Sequence, residues 1–153
     1  MPSPLRELNR IIRENRVDDF DTPNRELGMR PIAFTPGQSS WIWDAQTEGA
    51  LNPFGAVQGG YLAVFVDQIL STAIGSVLEE DEWAVTAELK LSYLRALTQQ
   101  RIEGHGRVIR RTRGVAFMDA EVRNAAGELA VTATSTWLIS RSEPGARRAT
   151  ASG

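Results

Sequence analysis

YLAVFVDQILSTAIGSVLEE, residues 61–80, is the stretch whose reading decides the fold. It is too long for one strand and apolar on nearly every face of a helix. A helix apolar all round is a buried helix, so this segment belongs at the centre of the protein. Just before it, LNPFGAVQGG (51–60) carries Asn-Pro, Phe-Gly and Gly-Gly pairs and reads as a loop.

Strand candidates flank the helix on both sides. PIAFT (31–35) and SSWIWDA (39–45) precede it, broken by Pro36-Gly37. WAVTAELKLSYL (83–94), RIEGHGRVI (101–109), VAFMDAEVRNA (115–125) and ELAVTATSTWLIS (128–140) follow it. Alternation puts Leu89, Leu91 and Tyr93 on one face, with Glu88, Lys90 and Ser92 on the other. In the last strand, Val131, Ala133, Ser135 and Trp137 alternate with Thr132, Thr134 and Thr136. The turns at Arg113-Gly114 and Asn124–Gly127 are short, which predicts antiparallel pairing, since parallel strands need long crossovers. Trp41 and Trp43 read as packing residues on one side of an edge strand. Two strands, one buried helix and four strands predict an α+β chain in which a curved antiparallel sheet wraps one long helix, the hotdog fold. The opposite sheet face then needs cover, which a second subunit supplies.

At the N-terminus, PLRELNRIIRENR (4–16) spaces Leu5, Leu8, Ile11 and Ile12 near the helical period, with Pro4 suited to open the helix. It reads as an amphipathic helix packed on the body, a lid over a ligand pocket being the sharper alternative. The domain reading is an N-terminal helical arm over 1–30, the hotdog domain over 31–141 and a disordered tail over 142–153.

Composition limits the chemistry. The chain has 153 residues, no cysteine and one histidine, His105. Thiolate nucleophiles, zinc–thiolate sites and iron–sulfur clusters are excluded, as is a multi-histidine metal site within one chain. There is no GxSxG elbow and no glycine-rich phosphate loop. With 17 basic and 19 acidic residues, the charge balance argues against a nucleic-acid partner. No apolar run approaches the roughly 18 residues of a membrane span. The start is too charged for a signal peptide, so the chain reads as soluble and cytoplasmic. The catalytic groups, if any, are carboxylates, amides, hydroxyls or backbone N–H groups.

Two features carry such chemistry. Asp67 interrupts the apolar helix, and a carboxylate removed from water is expensive unless it is bonded. It is either a structural aspartate or a catalytic one lining a cleft. Gln58-Gly59-Gly60 opens the helix, where the first N–H groups lack internal partners and glycine lets a ligand approach the main chain. Such a turn is either an ordinary glycine-rich loop or an oxyanion hole built from backbone.

Together, NPFGAVQGGYLAVFVDQILSTA and the following TAELKLSYLRA resemble the hotdog acyl-CoA thioesterases, above all the phenylacetate-pathway type. That type has the pattern N-x-x-G-x-x-H-G-G with a catalytic Asp seven residues on. The resemblance covers about residues 30–140. It implies that Asn52 positions the water or thioester, that the Gly59 N–H faces the thioester carbonyl oxygen, and that Asp67 attacks or activates a water. It also implies that the Thr86 hydroxyl helps hold that water. Gln58 stands where the family usually has histidine; its amide donates a hydrogen bond but cannot carry a proton. No cofactor is implied, coenzyme A being part of the substrate. Arg110, Arg111 and Arg113, with Arg107, form a basic cluster that is either a solvated hairpin end or a contact for the phosphates of coenzyme A.

Gly59 and Asp67 lie eight positions apart on one helix, about 12 Å at 1.5 Å per residue. One thioester carbonyl cannot readily meet both groups from one copy, since reacting groups approach to about 3–3.5 Å. A two-fold homodimer, or a dimer of dimers, with sites between subunits resolves this. Two rivals share the fold. A hotdog enoyl-CoA hydratase would pair a histidine with a carboxylate, and His105 is beside no such motif. A non-catalytic acyl-CoA or small-ligand binding protein is kept open by Gln58.

Overall fold

A computed structural model describes residues 4–45 and 48–141. The helix read from the sequence is α2, Gly59–Gly75, preceded by α1 (Pro4–Arg13), β1 (Met29–Thr35) and β2 (Gln38–Asp44). After it come β3 (Trp83–Tyr93), β4 (Arg101–Arg111), β5 (Val115–Arg123) and β6 (Leu129–Ser140). All six strands form one sheet in the order β1-β2-β4-β5-β6-β3, and every pairing is antiparallel. This is the hotdog arrangement, with α2 lying along one face of the sheet. Residues 142–153, read as a disordered tail, lie outside the described residues. Among the described residues no helix is long and apolar enough to cross a membrane.

α2 stops five residues short of the apolar run. Its last residue, Gly75, meets α1: a Cβ there would lie 2.8 Å from Ile12 Cδ1. The next residue, Ser76, folds back to donate to Ala73 O at 2.7 Å and accepts from Gly37 N at 2.8 Å. From α1, the Asn9 amide donates to Glu82 O at 2.9 Å and Arg13 to Leu78 O at 2.9 Å. α1 therefore packs on the end of α2 and the turn after it, which is the packed-helix reading rather than the lid.

The sheet side of α2 is buried. Phe65, Ile69, Leu70 and Ile74 are buried with Trp41, Trp43, Ile102 and Met118. Ser39 Oγ donates to Ile69 O at 2.6 Å, and Trp41 Nε1 to Thr72 Oγ1 at 2.9 Å. The tryptophans do pack in the core, but β2 is not an edge strand. β1 pairs along its far side, and β1 and β3 are the two edges. The opposite side of α2 is open: Val64 is exposed, and Asp67, Gln68 and Ser71 are half-buried. The outer sheet face, expected to need cover, exposes Val85, Ile109, Phe117 and Leu138 in the single chain.

Close approach of helix to sheet rests on Gly104 and Gly106, both inward-facing and buried on β4. A Cβ at Gly104 would overlap Ile69 Cδ1, and one at Gly106 would lie 2.7 Å from Ile69 Cγ2. Gly104→Val is expected to cost about 1–3 kcal/mol of stability by overpacking, read as a lower denaturation midpoint. An unchanged midpoint would mean that α2 lifts from the sheet without penalty.

Candidate active site

Asp67 sits midway along α2, half-buried on its open side. Thr86 Oγ1 on β3 donates to Asp67 Oδ1 at 2.7 Å. Among the described residues the carboxylate has no other hydrogen-bond partner and no ion-pair partner, so its second oxygen is free. Thr86 reaches it because of a β-bulge. The register against β6 shifts between Thr86 and Glu88, so Thr86 pairs with Trp137 while Leu89 pairs with Ser135. Trp137 and Ser135 both face the core, and Thr86 and Leu89 therefore both face α2. Strict alternation from Leu89 would have turned Thr86 away.

The start of α2 is built by the loop before it. Leu51 and Val57 form an isolated antiparallel bridge. Asn52 closes the intervening turn: its Oδ1 accepts from Phe54 N at 2.9 Å and Ala56 N at 3.1 Å. That oxygen serves the loop, so the position expected to hold water or thioester is also a structural one. Gln58 N donates to Ala50 O at 2.8 Å, and its side-chain Nε2 to Leu51 O at 3.0 Å. Gln58 thus braces the loop as well, and its side chain does not cap the helix.

Tyr61 N and Leu62 N both bond to Gln58 O, at 3.0 and 3.2 Å. Among the described residues the N–H groups of Gly59 and Gly60 have no hydrogen-bond partner. They are the unsatisfied, partly positive start of a helix. A cavity of about 350 Å³ opens beside them, with Asn52, Val57, Gly59, Leu62, Tyr93 and Leu97 among its walls. Asp67 and Thr86 are not among them. Tyr93, which alternation places on the same face of β3 as Leu89 and Leu91, donates from its hydroxyl to Gly59 O at 2.8 Å.

The arginine cluster divides. Arg111 forms an ion pair with Glu82, a carboxylate only 1% exposed that also binds Arg141 at 3.2 Å. Arg111 is therefore committed to the structure and is not free to meet a phosphate. Arg107 pairs with Asp119 at 2.7 Å. Arg110 and Arg113 are exposed, with no partner among the described residues. His105 pairs with Glu121 and Ser40 across the strands of the outer sheet face, its Nδ1 3.0 Å from Ser40 Oγ. It lies on the opposite face of the sheet from Asp67. No group of three or more His, Asp or Glu side chains is placed to hold a metal among the described residues.

The pattern of the Thioesterase superfamily matches residues 54–131, spanning Gln58, Gly59, Asp67 and Thr86. The chain belongs to the Thioesterase superfamily. Its fold is similar to that of a phenylacetic acid degradation-related protein from Ralstonia eutropha JMP134, at 27% identity and a TM-score of 0.75, covering 86% of this chain and 98% of that one. A thioesterase from Haemophilus influenzae matches at 18% identity and a TM-score of 0.75, covering 95% and 96%. A phenylacetic acid degradation protein from Thermus thermophilus matches at 23% and 0.70, covering 77% and 98%. The last two, at lower identity, bear on the fold alone. No curated protein matches the sequence. Membership of the Thioesterase superfamily gives the chain a general function, thioester hydrolysis.

Proposed function

We propose that the protein hydrolyses acyl-CoA thioesters, with Asp67 delivering the oxygen nucleophile and the Gly59 N–H binding the carbonyl oxygen. The observation that carries this reading is a carboxylate held by one hydroxyl together with a helix start, where among the described residues the second carboxylate oxygen and the first N–H groups have no partner. In the general-base route, Asp67 takes a proton from water as the water oxygen bonds to the carbonyl carbon. The tetrahedral oxyanion is held by the backbone N–H, and its collapse breaks the carbon–sulfur bond. In the nucleophilic route, Asp67 forms a mixed anhydride that water then cleaves. Thiols have a pKa of about 8.5, so the thiolate leaves without an acid and Gln58 in place of histidine is tolerable. Thr86 fixes the carboxylate rotamer. Arg110 and Arg113 are the candidates for the phosphates of coenzyme A.

Two copies of the chain complete the site in this account. β3 is an edge strand of 11 residues that, among the described residues, pairs with β6 alone. Such an edge favours pairing with another strand. Thr86, bonded to Asp67, lies near one end of β3, and Tyr93, bonded to Gly59, closes the other. A two-fold axis crossing β3 near Leu89 and Lys90 sets the Thr86 end of one copy against the Tyr93 end of the other. Asp67 of each chain then approaches Gly59 of its partner, making two equivalent sites.

The test is a screen of short, long and aromatic acyl-CoAs, read by release of free thiol. Turnover of at least one supports the reading. Binding without turnover across the panel would favour the binding-protein alternative, and hydration of an enoyl-CoA would favour the hydratase. Within the active panel, Gln58→His is expected to leave activity equal or higher, because histidine is the family's usual residue and can make the same brace to Leu51 O. A folded but inactive variant would show that the amide makes a contact histidine cannot.

A further inference from the structure

We propose that Tyr93 is a positioning residue for hydrolysis, pinning the first turn of α2 so that the Gly60 N–H joins the Gly59 N–H in pointing at the oxyanion. The inference rests on the hydrolase reading above. The Tyr93 hydroxyl donates to Gly59 O at 2.8 Å. That oxygen and the Gly60 N–H belong to one planar peptide unit, so a donor on the oxygen fixes the direction of the N–H. It also polarises the unit, making the N–H a better donor.

Three further observations point the same way. A Cβ on Gly59 would lie 3.0 Å from both the Cζ and the hydroxyl oxygen of Tyr93, so the close contact exists because that residue is glycine. A Cβ on Gly60 would meet nothing within 4 Å, so the space beside that residue is open. Tyr93 itself is 53% exposed, so core packing does not account for the placement of its hydroxyl. A turn beginning with two glycines has the most backbone freedom to lose, and one hydrogen bond from a strand end restrains it. Arg95 lines the same cavity as Tyr93 and pairs with Glu128 at 3.7 Å.

The experiment compares wild type with Tyr93→Phe, which keeps the ring and removes the hydroxyl. With the best acyl-CoA, kcat is expected to fall about five- to tenfold, the worth of one hydrogen bond, while KM stays within about twofold. In the same variant the backbone amide resonance of Gly60 should move upfield, a readout that needs no turnover. A folded variant with unchanged kcat and an unmoved Gly60 amide would overturn the proposal. If the variant loses stability, 4-aminophenylalanine placed at position 93, which keeps the ring and a donor, decides. It should hold kcat within about twofold of wild type and leave the Gly60 amide in place. A loss as large as in Tyr93→Phe would assign Tyr93 to packing. A wild type that hydrolyses no thioester would count against the hydrolase reading, and the Gly60 amide would still test the hydrogen bond.

Discussion

Replacing Asp67 with asparagine is expected to leave a folded protein whose thioester hydrolysis falls by about 10²–10⁴-fold. Asparagine keeps the shape, and its carbonyl oxygen can accept the same bond from Thr86 Oγ1 that holds the aspartate at 2.7 Å. What it loses is basicity and nucleophilicity. The stability cost should be small, because the carboxylate is half-buried and makes no ion pair among the described residues. The check is the specific activity of the purified variant on the best acyl-CoA, alongside its melting temperature. Near-normal turnover would remove Asp67 from the chemistry. A large fall in melting temperature would instead make it a structural aspartate. Single-turnover hydrolysis by the wild type in ¹⁸O-water adds a further distinction, since label appears in Asp67 only if the carboxylate itself attacks.

The fold was legible because its signals are long and regular. An apolar run of helical length and strands that alternate over many residues leave few arrangements, and β3 and β6 run within one residue of the stretches read from the sequence. What was not legible depends on single residues whose effect is set by distant partners. Alternation alone turns Thr86 away from the helix, and only the bulge beside it brings its hydroxyl to Asp67. Gly104 and Gly106 look like weak points in a strand, yet they are where α2 settles on the sheet. Arg111 looks like its basic neighbours until buried Glu82 is found against it. β2 carries no mark that β1 will cover its outer side. The hydroxyl of Tyr93 falls on Gly59 through a separation of 34 residues, which no periodicity encodes.

The central claim, a hydrolytic site assembled from two chains, predicts complementation between two inactive proteins. Gly59→Pro deletes the N–H at the first helical position, where proline fits. Gln58 before it is already extended, with φ −64° and ψ 139°, as a residue preceding proline requires. Its added atoms crowd Tyr93, so Gly59→Ala, which has the same Cβ but keeps the N–H, serves as the control for that crowding. Asp67→Asn and Gly59→Pro homodimers should each be inactive. Unfolded and refolded together in equal amounts, half the dimers should be mixed, and each mixed dimer should hold one intact site and one doubly broken site. Activity should then return to about a quarter of the wild-type value per site. The decisive measurement is thiol release by that refolded mixture, with mixed dimers confirmed by mass. Recovery near a quarter is the result this account predicts. No recovery from folded, mixed dimers would place the whole site within one chain and contradict it.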